Sequence, residues 1–187
     1  MRNFRLVPLY ETITDLNDFA QAEVVRRRRY GVIEIVDGRL ARIVFRPFPK
    51  WVSLWESLYW GEWRHQRKPG DRCYLYFNQP AQCPNYLALK YAHSHRDTRL
   101  RSFFAALRVL DQIAEIKRTD AIVADAANLR ISDRLLSRLG WEKHTNSRWH
   151  RNYIKRFYGE YGKPVSCPDW LPREECGSYG RLRSANV

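Results

Sequence analysis

Residues 86–125 constrain the architecture more than any other part of the chain. "YLALKYAHS" reads as a strand, "TRLRSFFAALRVLDQIAEIK" as a long helix and "AIVAD" as a short, continuously apolar strand. In the helix, Leu100, Phe103, Phe104, Leu107, Leu110 and Ile113 recur at helical spacing, with Thr98 as the expected N-cap. Arg101, Arg108, Asp111 and Glu115 lie off that apolar face. Two strands joined through such a helix run parallel, and the crossover lays the helix on a face of the sheet. The expectation is a single α/β domain with a mixed, twisted central sheet and helices on both faces.

The first half is compatible with that plan. "FRLVPL", residues 4–9, reads as an opening strand. A helix follows, with Thr14 or Asp15 as N-cap and Leu16, Phe19, Ala20 and Val24 on one face. Arg26 to Arg29 sit at its C-terminal end, where the helix dipole favours cations, and Gly31 is placed to end it. "VIEIVDGRLARIVFRPF" is the strongest local signal, because two β-branched runs flank Asp37-Gly38 as in a hairpin. Pro47 and Pro49 then stop the second strand. Trp51, Leu54, Trp55 and Leu58 share a helical stripe, so residues 51–70 read as an aromatic helical insertion docked on the sheet. "RCYLYF" is a further strand.

After the crossover, "RISDRLLSRL" reads as a short helix with Ile131, Leu135, Leu136 and Leu139 inward, closed by Gly140. "WHRNYIKRF" alternates as a half-exposed strand. Residues 1–158 thus form the domain, and the Pro- and Gly-punctuated stretch 159–187 is expected to be an irregular, peripheral tail.

Charge narrows the partners. The chain carries 26 Arg against 7 Lys and a formal net charge of +13. Arginine prefers planar, bidentate partners such as phosphate and carboxylate, so a nucleotide cofactor or nucleic acid fits, although a basic balance by itself speaks only to non-specific binding. No apolar run approaches the roughly 20 residues of a membrane span, and the N-terminal stretch lacks the apolar core of a signal peptide. A cytoplasmic protein without membrane attachment is expected. Cys73, Cys83, Cys167 and Cys176 lack zinc-knuckle spacing, so no metal site is expected.

The order strand, basic loop, long helix, buried strand, short helix, Gly-Trp and final hairpin resembles the GCN5-related N-acetyltransferase (GNAT) superfamily over roughly residues 86–158. The resemblance implies acyl-coenzyme A as cofactor and an amine, small-molecule or peptide, as acceptor. It places the cofactor's pyrophosphate at the loop and helix start formed by Arg96, Thr98, Arg99, Leu100 and Arg101. Arg99 and Arg101 stand where the family has glycine and glycine or alanine, so their side chains either bind the phosphates or fill the site. Backbone amides of Ala92 or His93 would polarise the thioester carbonyl. Asn128 follows the buried strand and either serves the cofactor or caps the next helix. Leu136 falls where the family often has a proton-donating tyrosine. Glu34 on the hairpin is the base to test, against the alternative of an ordinary strand carboxylate. Two functions follow: acyl transfer to an amine, or a catalytically inactive module on the same fold that binds nucleic acid or an acidic partner.

Overall fold

The computed structural model describes residues 9–48, 70–94, 98–125, 132–146 and 151–161. Its elements in chain order are β1 (Glu11–Ile13), α1 (Phe19–Arg27), β2 (Tyr30–Val36), β3 (Arg39–Arg46), β4 (Arg72–Asn78), β5 (Tyr86–Ser94), α2 (Leu100–Lys117), β6 (Ala121–Asp125), α3 (Asp133–Arg138), β7 (Glu142–Asn146) and β8 (Arg151–Arg156). The eight strands form one sheet in the order β1-β3-β2-β4-β5-β6-β8-β7. Among the described residues only β5 and β6 pair in parallel; the other ladders are antiparallel. The protein is therefore a single mixed α/β domain, and α2 is the crossover that the parallel pair requires.

The hairpin forms as its sequence dictates. Asp37 and Gly38 both take positive φ, 51° and 77°, which matches the right-handed twist of the flanking strands. Ile33 and Ile35 of β2, Ile43 and Phe45 of β3, and Cys73, Leu75 and Phe77 of β4 are fully buried on one face. Against them pack Phe104, Leu107, Leu110 and Ile113 of α2 and Val25 of α1 in one continuous core. Leu100, assigned to that stripe, is 42% exposed because it opens the helix beyond the sheet's cover. Gly31 belongs to β2 and does not end α1. A Cβ there would lie 2.6 Å from the Phe77 ring, so the glycine admits that ring.

The opening segment departs from the sequence reading. Residues 4–8 lie outside the described residues, and the first described strand is Glu11–Ile13. Asp18 caps α1, its carboxylate accepting from the Ala20 amide at 2.9 Å. Thr14 and Asp15 are instead held by the Gln21 side chain, which accepts from both their amides. Ala22 and Val25 face the core, whereas Phe19 is 78% exposed. The aromatic stretch 51–63 lies outside the described residues.

The second half follows the expected order. Ser132 caps α3 with its hydroxyl oxygen, Leu136 is buried, and Gly140 ends the segment at φ 81°. Residues 162–187 lie outside the described residues, but the start of the tail is not peripheral. The Tyr161 ring packs 5.0 Å from that of Phe157, and its hydroxyl donates to the Thr119 carbonyl.

Candidate functional site

The crossover brings the C-terminal half of β5 and the N-terminus of α2 together. β5 pairs with β6 only through Tyr86, Leu87, Ala88 and Leu89. Opposite β4 its ladder continues to Ser94, with Lys90 as an extra, bulged residue between the Leu89 and Tyr91 pairs. Among the described residues, nothing pairs with β5 beyond Leu89 on the β6 side. Ala92 and His93 lie in this stretch. The carboxyl ends of parallel strands are where sheets of this kind take ligands.

At the start of α2, Arg99 is the N-cap residue and no side chain caps the helix from that position. Thr98 does not cap it: its hydroxyl donates to the Arg72 carbonyl at 2.6 Å. Asp71, buried and just ahead of β4, reaches the helix start instead. Its carboxylate accepts from the Arg99 amide at 3.0 Å and from Arg101 Nε at 3.2 Å. The Arg101 side chain lies over the hairpin turn, 3.5 Å from where a Cβ on Gly38 would sit. Arg101 is therefore engaged with Asp71, while Arg99 is exposed. Ser102, in the first turn, is fully buried, and among the described residues its Oγ has no hydrogen-bond partner. The helix start thus retains donors, beside a carboxylate that already complements the dipole. Arg96 and Asn128 lie outside the described residues. Ser132 is the N-cap of α3.

Glu34 sits on the other face of the sheet. Its carboxylate accepts from Arg42 Nε at 2.7 Å, Arg72 Nη1 at 3.0 Å and the Tyr74 hydroxyl at 3.1 Å. Burial pushes this carboxyl up, but the hydrogen bond and charge of Arg42, helped by Tyr74 and Arg72, hold it below the usual range. A carboxylate so held is a weak base and a strong anchor for its neighbours. The cross-strand pairs Tyr74↔His93 and Tyr76↔Tyr91 continue this face toward the open stretch of β5. The Tyr91 and His93 rings stack at 6.2 Å, and Tyr76 meets Tyr91 at 5.9 Å. The Arg46 guanidinium covers the Tyr76 ring at 5.4 Å.

The sequence reading named Glu34 but not Asp71, Arg42, Arg46, Arg72 or Tyr74. Period-2 alternation could have found two of them, since Arg72 and Tyr74 must share a face with Tyr76. Asp71 meets residues about 30 positions away in sequence, and no local pattern announces that.

Elsewhere, a hollow of about 410 Å³ is lined by Arg26, Gln79, Ile116, Lys117 and Arg118. Lys117 Nζ donates there to the Arg28 carbonyl at 2.6 Å and to Gln79 Oε1 at 2.9 Å, closing the C-terminal end of α1. Among the described residues no cluster of His, Cys, Asp and Glu could hold a metal ion. Nor is any described helix long and apolar enough to cross a membrane.

No family model and no curated protein matches the chain. A crystal structure of nourseothricin acetyltransferase is similar over 80% of this chain and 99% of that one, at 8% identity and a TM-score of 0.37.

Proposed function

We propose that this chain binds acyl-coenzyme A in the opening between β5 and β6 and transfers the acyl group to an amine. The observation that carries this reading is the meeting of a β5 stretch, Lys90–Ser94, that no described strand pairs on the β6 side, with an α2 N-terminus whose Ser102 Oγ is buried and, among the described residues, unpartnered. An extended, amide-bearing chain such as the pantetheine arm is suited to an open strand edge, as a peptide is in strand addition. The pyrophosphate belongs at the helix start, where backbone amides and the dipole favour anions. Arg99 and, outside the described residues, Arg96 are the cations assigned to it, while Arg101 stays with Asp71.

The amine nitrogen attacks the thioester carbonyl, the new C–N bond forms, the C–S bond breaks, and the sulfur leaves as a thiolate. The ammonium proton passes to the thiolate or to water. Leu136, buried in the core, has no proton to give, so no side-chain acid is assigned to the leaving group at that position. Proximity and amide polarisation by the Ala92 and His93 backbone do the remaining work. Glu34 is assigned no proton transfer; it fixes Arg72 and Tyr74 behind the site.

The test is thiol release from acetyl-coenzyme A by the full chain, across a panel of primary amines that includes amino acids and short peptides. Amine-dependent release well above the no-enzyme rate supports transfer. Coenzyme A binding without release with any amine assigns the chain to a binding role, and oligonucleotide binding that weakens steeply between about 50 and 200 mM salt marks the nucleic-acid alternative.

A further inference from the structure

We infer that the hollow at the C-terminal ends of α1 and α2 is a binding site for the dianionic phosphate of a small phosphomonoester. The hollow measures about 410 Å³ and is lined by Arg26, Gln79, Ile116, Lys117 and Arg118. Small-molecule sites usually span roughly 300–1,000 Å³, so there is room for a phosphate and a compact body. Arg26 and Arg118 are exposed, which puts the hollow at the surface. Among the described residues no carboxylate lines it.

The charges select the ligand. Lys117 Nζ donates to neutral oxygens: the Arg28 carbonyl at 2.6 Å, Gln79 Oε1 at 2.9 Å and the Arg26 carbonyl at 3.4 Å. These hold the ammonium in place, but none cancels its charge. Burial, with a smaller push from Arg29, draws that ammonium down to about 8, the direction expected of a cation without a counter-ion. Arg118 follows α2 in the left-handed region, φ 53°, and among the described residues no hydrogen bond or ion pair engages its side chain. Arg26 pairs with Glu23, but both side chains are exposed, and such a pair is weak enough to yield to a second anion. Glu115 and Asp120, the acidic residues nearest Arg118 in sequence, do not line the hollow. Arg26, Lys117 and Arg118 against the one carboxylate of Glu23 leave two positive charges. A phosphate dianion cancels both, and a carboxylate cancels one. The two guanidinium forks suit the phosphate oxygens, and Ile116 offers apolar contact to the body that carries them. The hollow lies at the other end of α2 from the Arg99 cap, about 27 Å along the helix, so the inference is independent of acyl transfer.

The experiment titrates the full chain, without coenzyme A, with methyl phosphate, dimethyl phosphate and acetate, read by calorimetry and by the shift in Tm at constant ionic strength. At about pH 7 the monoester carries nearly two charges and the other two anions carry one. Methyl phosphate is expected to bind saturably and raise Tm, with both monoanions roughly tenfold weaker or more. Arg118→Gly removes a cation at a left-handed position that suits glycine, so the fold is kept. It should weaken methyl phosphate by roughly 10- to 100-fold, the range for a charge-assisted hydrogen bond. Arg39→Ser removes an exposed arginine at the opposite end of β2 from α1. It should leave the affinity within about twofold, because charges so far apart are screened. No saturable binding of methyl phosphate, or equal binding of dimethyl phosphate, overturns the inference on the wild-type chain. Undiminished binding to Arg118→Gly places the phosphate elsewhere, and equal weakening by Arg39→Ser marks a general effect of charge; either result overturns it.

Discussion

Removing the Asp71 carboxylate should loosen the start of α2. The carboxylate makes two contacts with the helix: the Arg99 amide at 3.0 Å and Arg101 Nε at 3.2 Å. A hydrogen bond to a charged group contributes about 1.5–3 kcal/mol. The ion pair adds under about 1 kcal/mol, because Arg101 is partly exposed and can turn to water. Asp71→Ala therefore costs roughly 2–3 kcal/mol, a fall in Tm of roughly 5–10 °C for a domain of this size. Asp71→Asn keeps an oxygen for the Arg99 amide and should cost about 1 kcal/mol. Urea denaturation followed by circular dichroism measures both, with the m-value reporting whether the unfolding unit is unchanged. If Asp71→Ala unfolds within about 0.5 kcal/mol of wild type, the carboxylate does not anchor the helix and the assignment of Arg101 fails with it.

Other predictions follow from the packing and charge. Gly31→Ala puts a methyl group into the Phe77 ring and should destabilise the chain by about 1–3 kcal/mol; Phe77→Leu in the same chain should recover part of that in thermal melts. Leu110→Ala, at a fully buried position of α2, should cost about 2–5 kcal/mol by the same measurement. Burial, with a smaller push from Arg29, draws the Lys117 ammonium down to about 8. The folded chain then sheds this proton before the unfolded one. Stability relative to Lys117→Met should therefore rise with pH from about 8 to about 10, by up to about 3 kcal/mol; a flat difference in urea titrations across that window refutes the assignment. Truncation after Tyr158 removes Tyr161 from Phe157 and Thr119 and should lower stability by roughly 1–3 kcal/mol.

The parts of the fold legible in the sequence were those fixed by local periodicity. The 37–38 turn, the bounds of β5 and the body of α2 each rest on patterns within about ten residues, and the structure has them where the patterns put them. Helix starts were less legible, because side chains far along the chain decide them. Thr98 looks like an N-cap, but Arg72 takes its hydroxyl. Thr14 and Asp15 look like caps, but Gln21 binds their amides and the helix waits for Asp18. The same holds at the candidate site. Glu34 was visible as a strand carboxylate, but its character comes from Arg42, Arg72 and Tyr74 across two ladders. Arg99 and Arg101 looked alike in sequence, and Asp71 separates them by engaging only one side chain.

The acyl-coenzyme A reading is tested most directly by amide hydrogen exchange with and without acetyl-coenzyme A, on the wild-type chain and on Asp71→Asn. The reading predicts slowed exchange at Lys90–Ser94 and at Arg99–Ser102, with β2 and β3 unchanged. It also predicts tighter binding to Asp71→Asn, because a negative charge beside the phosphates is gone. Exchange unaltered at both segments with millimolar acetyl-coenzyme A, in both proteins, would contradict it.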